Sequence, residues 1–163
     1  MAESRDKDAI ALLKEDHKQV RQLFQDYRKL VEDDAESEQR QELAERVCAL
    51  LTVHAMIEEE LLYPSARDAI DKQDLLDEAE VEHETAKDLI AQIQEMDPDE
   101  DLYDARVNVL GEYVEHHVKE EEGELFPLLK KAELDLEGLG QELQERKQQL
   151  LADLGYEEEA EEG

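Results

Sequence analysis

The chain has 163 residues, 48 of them acidic and 18 basic, for a formal net charge of −30. That is long enough for one domain with a real core. The charge excludes nucleic acid and anionic membrane as partners, because both need a basic surface. Only three Pro and six Gly interrupt a sequence dominated by Glu, Leu, Ala, Lys and Gln, all good helix formers, so the expected fold class is all-α.

Residues 1–8 read as an N-terminal arm with no apolar signal region, and no run of about 18 apolar residues offers a membrane span. The first helix is expected over about Ala9–Val31. Ile10, Leu13, His17, Val20, Phe24, Tyr27 and Val31 repeat every three or four residues, the stripe of a bundle core. A polar turn, Asp33–Ser37, follows, with Ser37 as the expected N-cap of helix two. That helix is expected over about Glu38–Leu62, with Leu43, Val47, Leu50, His54, Ile57 and Leu61 inward and Pro64 ending or kinking it. Cys48 lies within this apolar stretch and reads as a buried, inert thiol. As the single cysteine it permits no intramolecular disulfide, which points to a reducing, cytoplasmic compartment.

Ser65–Lys72 reads as a broken continuation. Helix three is expected over about Leu75–Met96, with Leu76, Ala79, His83, Ala86, Ile90 and Ile93 inward. Asp97-Pro98-Asp99-Glu100-Asp101 is a turn. Helix four is expected over about Leu102–Lys130, with Val107, Leu110, Val114, His117 and Glu121 inward and Pro127 kinking its last turn. The four helices give an up-down-up-down bundle over residues 9–131. An additional C-terminal amphipathic helix, 132–155, carries Leu136, Leu139, Leu143, Leu150 and Leu154. It is expected to pack outside the bundle or to pair with a protein partner or a second copy. Residues 156–163 read as an acidic disordered tail.

One motif occurs twice. His54-x-x-x-Glu58 is followed by six residues ending in Tyr63-Pro64, and His117-x-x-x-Glu121 by six ending in Phe126-Pro127. On a helix, residues four apart share a face, so each copy can aim an imidazole and a carboxylate at one target. The repeat reaches upstream, where Asp16-His17 aligns with Glu82-His83. Imidazoles and carboxylates of this kind suit a pair of transition-metal ions between facing helices.

Height along the bundle supplies an independent check. In an antiparallel hairpin, residues at one height are equidistant from the turn. The midpoint of His17 and His54 falls between Ala35 and Glu36, that of His83 and His117 at Glu100, and that of His54 and His83 between Asp68 and Ala69. All three fall in predicted interruptions, so the four imidazoles share a layer. Buried ionised carboxylates without partners cost several kcal/mol each, roughly, and metal ions offset that cost. The expected metal ligands are His17, His54, Glu58, His83, His117 and Glu121. His116 lies off the stripe and reads as a flanking residue. Glu59, Glu60, Glu120 and Glu122 read as solvent-facing or as supports. Asp16 and Glu82 read either as acceptors for imidazole N–H groups or as solvated acids.

Over about residues 9–130 these motifs resemble the hemerythrin-like family, whose four-helix domains carry a His…His-x-x-x-Glu core in each half. The resemblance implies two iron ions inside the bundle, with Mn or Zn as alternatives. His17, His54, His83 and His117 become terminal ligands, Glu58 and Glu121 bridging carboxylates, and an oxo or hydroxo group completes the bridge. The oxygen-carrying members have a fifth His one turn after the third-helix ligand, where this chain has Lys87. That departure implies a more open centre. The expected partners are small oxidants, O2, H2O2 or NO, and redox protection or peroxide breakdown of a catalase or peroxidase kind is favoured over carriage. An iron or oxygen sensor, or an iron storage or delivery protein without turnover, is the alternative.

Overall fold

The computed structural model describes residues 8–156. Helix α1 spans Ala9–Glu32 and is capped by Asp8, whose carboxylate accepts the Ala11 N–H at 2.9 Å. Helix α2 begins at Ser37 and α3 spans Gln73–Glu95. Helix α4 begins at Tyr103, and α5 spans Leu136–Asp153. Helices α1 to α4 pack as a ring in which each touches the next and α4 returns to α1. This is the expected all-α, up-down-up-down bundle, and no strand occurs among the described residues. None of these helices is long and apolar enough to cross a membrane.

The two helices that carry the repeated motif do not stop at their prolines. Helix α2 runs as Ser37–Ile57, widens into a π segment at Glu58–Leu62, and continues as Tyr63–Ala69. Helix α4 does the same through Tyr103–Glu120, Glu121–Leu125 and Phe126–Lys131. In each, the aromatic residue's N–H reaches the carbonyl five residues back, Tyr63 to Glu58 and Phe126 to Glu121. A π turn leaves one carbonyl more room, so a proline, which lacks an N–H and crowds the preceding turn, is accommodated without breaking the rod. The expected interruption therefore shrinks to Ile70–Lys72.

The extra residue also shifts the buried stripe. Leu62 is fully buried while the expected Leu61 is only half-buried. Ser37 proves to be the first helical residue of α2, and Glu36 at the N-cap makes no side-chain bond there.

The apolar core falls into two clusters on either side of the histidines. One gathers Leu12, Leu13, Ile57, Leu62, Leu76 and Leu129 with the buried leucines of α5. The other gathers Val20, Phe24, Val47, Leu51, Ile90, Ile93, Val107 and Leu110 toward the two hairpin turns. Helix α5 lies on the outside of α1 and α2 through Leu139, Leu143, Leu150 and Leu151. Leu154, expected on that face, is 49% exposed. Tyr156, expected to begin the acidic tail, is instead half-buried and donates its N–H to Leu151 O at 2.8 Å. The N-terminal arm before Asp8 and the tail from Glu157 lie outside the described residues.

Candidate metal centre

The i, i+4 spacing of the repeated motif turns His54 and Glu58 to one face of α2, and His117 and Glu121 to one face of α4. Their Nε2-to-carboxylate distances are 3.1 Å and 3.4 Å. Helices α1 and α3 bring in the other two imidazoles. His17 Nε2 lies 3.2 Å from Glu121 Oε1, and His83 Nε2 lies 3.1 Å from Glu58 Oε1. Each glutamate thus faces both sides of the bundle, with one oxygen for each.

The result is two donor pockets. The first is built from His17, His54, Glu58 Oε2 and Glu121 Oε1, and the second from His83, His117, Glu58 Oε1 and Glu121 Oε2. All four residues of the first pocket, and Glu58, His83 and His117 of the second, form groups whose donor atoms converge within metal-binding range. The layer is buried: Glu58 is 0% exposed and Glu121 3%.

Supporting carboxylates repeat with the same two-fold logic. Each histidine donates its Nδ1–H to an acid from a neighbouring helix, which leaves its Nε2 lone pair for the interior. Asp16 accepts from His54 at 2.9 Å and Glu82 from His117. Glu59 accepts from His83 at 2.8 Å and Glu122 from His17 at 2.7 Å. Asp16 and Glu82 are therefore imidazole acceptors rather than solvated acids. Glu59 and Glu122 serve the same purpose, the supporting one of the two roles expected for them. Glu60 instead pairs with Arg146 on the surface, and His116 is 65% exposed and meets Glu120 outside the layer.

Tyr63 is the site residue that sequence reasoning missed. The π turn brings its hydroxyl into the second pocket, where it donates to Glu121 Oε2 at 2.7 Å. It also lies 3.0 Å from Glu58 Oε1 and 3.3 Å from His83 Nε2. Its repeat counterpart, Phe126, stacks on His17, with ring centroids 6.0 Å apart and planes 3° from parallel. The pockets are thus alike in ligand types and unlike in their aromatic neighbour. The signal was present in the repeat, as an aromatic five residues after each glutamate.

Among the described residues, five buried side-chain donor atoms make no hydrogen bond: His17 Nε2, His54 Nε2, Glu58 Oε2, Glu121 Oε1 and His117 Nε2. Four of the five are the complete donor set of the first pocket. Unsatisfied buried polar atoms are rare in folded proteins and costly, and their convergence here fits a cation. The electrostatics agree. Burial alone would raise the Glu58 and Glu121 carboxyls, but the neighbouring imidazoles hold both below the usual range, Glu121 strongly so. Burial alone would lower the histidines, yet the carboxylates push His54 well up, His83 up, and His117 to about 11. Protons on imidazoles supply the positive charge that the carboxylates demand.

A cavity of about 50 Å3 opens against all four imidazoles. Its apolar wall includes Val20, Leu51, Ala86, Ile90, Val114 and Val118. Lys87 stands at its edge, and its ammonium donates to Glu59 Oε1 at 2.9 Å. Cys48 is buried away from this layer in the turn-side cluster, and burial pushes its thiol up to about 12, consistent with an inert thiol.

The hemerythrin HHE cation-binding domain model matches residues 8–129. The chain belongs to the hemerythrin HHE cation-binding family. The match spans the bundle and includes all six inward-facing histidines and glutamates. Family membership makes this a metal-binding fold, and the clustered His and Glu side chains supply the donors.

A hemerythrin HHE cation-binding domain-containing protein from Mycobacterium kansasii has a similar fold. It superposes with a TM-score of 0.75 at 24% identity, over 90% of this chain and 89% of that one. That likeness concerns the fold. A DNA nickase from Nostoc sp. (strain PCC 7120 / SAG 25.82 / UTEX 2576) is 31% identical over 122 residues, 73% of this chain and 32% of the relative. The chain thus matches about a third of the nickase's length.

Proposed function

We propose that this hemerythrin-family domain holds two iron ions, one in each pocket, and uses them to bind or react with O2, peroxide or NO. Peroxide breakdown or a related redox protection is the favoured role. The observation that carries the reading is the set of five orphaned buried donors converging from both halves of the repeat. A mixed imidazole and carboxylate set suits iron, and also accepts Mn or Zn. Bound iron would supply redox cycling and open coordination positions.

The protein's own groups do the rest. Glu58 and Glu121 reach both pockets and would bridge the ions. Asp16, Glu59, Glu82 and Glu122 hold the imidazoles as Nδ1–H tautomers. Tyr63 keeps a proton at its hydroxyl oxygen between Glu58 and Glu121, since burial and both carboxylates raise its pKa well above normal. The cavity beside the imidazoles has room for a molecule of a few heavy atoms and none for a large organic substrate. Its apolar wall favours an uncharged ligand. DNA cleavage is not part of this reading: the match covers only about a third of the nickase, and a net charge of −30 opposes approach to a polyanion.

The test is to load metal-free protein with Fe(II) anaerobically, count the bound ions, and mix the protein separately with O2, H2O2 and NO. Two ions per chain, a spectral change with at least one oxidant and catalytic loss of peroxide are expected. Fewer than two ions, or an inert loaded protein, would overturn the reading.

A further inference from the structure

Helix α5 carries a lysine on its buried face. Leu139, Leu143, Leu150 and Leu151 make its apolar contacts, and Lys147 lies among them at 6% exposure. A lysine is almost never that buried unless it is paired. Its ammonium donates to Asp16 Oδ1 at 2.6 Å, and Asp16 Oδ2 accepts the His54 Nδ1–H at 2.9 Å. His54 Nε2 in turn faces Glu58 Oε2 in the first pocket. One buried chain of charged and polar groups therefore runs from the fifth helix to a donor atom of the candidate centre.

The internal repeat provides a comparison within the same molecule. Glu82 stands to His117 as Asp16 stands to His54. Glu82, however, is 16% exposed and has Glu120 and His116 as its other neighbours. The Asp16 side chain is 7% exposed and meets an ammonium from α5. The second pocket has a lysine behind one of its carboxylates too, Lys87 on the Glu59 that holds His83, but Lys87 is 44% exposed and comes from α3 itself. Among the described residues a buried ammonium from outside the four-helix ring reaches only the first pocket, through Asp16.

We propose that Lys147 is a positioning residue for the first pocket, acting through Asp16 to fix the ring of His54 and so setting that pocket's metal affinity apart from the second's. The proposal rests on the metal-binding reading above. By engaging one carboxylate oxygen, the ammonium leaves the other for the imidazole alone. A carboxylate acceptor at Nδ1 requires the proton there, which presents the Nε2 lone pair to the interior. Without the ammonium, a buried carboxylate loses its counter-charge and must turn toward solvent or another donor. His54 then loses the bond that aims it.

The test uses the full chain, freed of metal and titrated anaerobically with Fe(II) against a chromogenic chelator. Wild type is measured first and should take two ions; a wild type that takes none sinks the metal reading and this proposal with it. Lys147→Met keeps the length and packing of the side chain. It should weaken one of the two ions by tenfold or more, within the ten- to hundredfold usual for groups that orient a ligand, and change the other less than threefold. Lys147→Arg should restore most of the loss. Leu143→Ala loosens the same helix without touching Asp16 and should lower stability while leaving both affinities in place. If Lys147→Met binds both ions as wild type does, if it weakens both equally, or if Leu143→Ala reproduces the selective loss, the proposal is wrong. Should Lys147→Met fail to fold, Asp16→Asn must show the same selective loss, and unchanged binding in that variant overturns the proposal.

Discussion

Tyr63 and Phe126 occupy the same place in the two repeats, each directly after a π segment and each followed by proline, and only Tyr63 carries a hydroxyl. That hydroxyl satisfies Glu121 Oε2 and sits beside Glu58 Oε1, whereas the matching oxygens of the first pocket, Glu58 Oε2 and Glu121 Oε1, face only imidazole Nε2 atoms and make no hydrogen bond. Tyr63→Phe should remove that difference in aromatic neighbour and leave Glu121 Oε2 without its hydroxyl donor in the metal-free protein. An unsatisfied buried acceptor costs about 1–3 kcal/mol, so metal-free stability should drop by about that much. Urea unfolding of the metal-free variant checks it, and an unchanged midpoint would count against the assigned hydrogen bonds.

On the proposed two-ion reading, loss of either shared carboxylate should be felt by both ions. Glu58→Ala and Glu121→Ala should each remove most of the second metal, and His54→Ala and His117→Ala should be similarly severe. His116→Ala, at an exposed side chain, should leave metal content within error of wild type. Elemental analysis of the purified variants decides. An empty site in His116→Ala beside a full one in His117→Ala would mean that α4 is misregistered by one residue.

Stability should respond to pH in opposite senses with and without metal. In the metal-free protein His54, His83 and His117 have raised pKa values, His117 to about 11. Their stabilisation is complete below the ordinary histidine value, about 6.5, and is lost as pH rises through the folded values. Glu58 and Glu121 are lowered, so their stabilisation is present above the ordinary glutamate value, about 4.3, and is lost on acidification. Metal-free protein should therefore be most stable between about pH 4.5 and 6.5 and weaken toward alkaline pH. Loaded protein needs neutral imidazoles as ligands and should gain stability from pH 5 to 8, roughly. Thermal melts of both forms across this range make the comparison. Parallel pH profiles would contradict the view that protons occupy the ligands when metal does not.

Filling the cavity should separate ligand access from metal binding. Ala86 is half-buried in its wall and is not among the donors. Ala86→Leu should leave two ions bound and slow the reaction of the loaded protein with NO or O2 at least tenfold, a barrier increase of about 1.4 kcal/mol. Stopped-flow absorbance measures it. An unchanged rate would place the approach route elsewhere.

The meeting of His17, His54, Glu58, His83, His117 and Glu121 was legible because it depends only on spacing. Four residues make one helical turn, and equal distances from the turns set equal heights. Tyr63 was not legible by the same arithmetic. Five residues on from Glu58 at α-helical pitch point roughly 140° away, and only the π turn returns the ring to the glutamate's face. Leu61 and Leu62 exchanged roles for the same reason. For Glu59 and Glu122 the sequence left open solvent or support, and the imidazoles of α3 and α1 decide for support. Lys147 lies four residues past Leu143 on an apolar stripe. A lysine there suggests a snorkelling surface residue unless the carboxylate waiting on α1 is known.

Each π segment inserts its extra residue at the level of the candidate centre. Toward the hairpin turns, α2 and α4 follow one rotational phase, the one that faces Val47, Leu51 and His54, or Val107, Leu110 and His117, inward. Beyond the centre they follow another, which buries Leu62 and Ala66, or Leu125 and Leu129. The histidine layer is therefore a joint between two registers of the same bundle. Removing one residue from Glu58–Leu62 would rotate everything beyond it by a fixed angle while the turn-side half kept its packing. The two halves of the core are in this sense separate modules, joined at the layer of clustered histidines and glutamates.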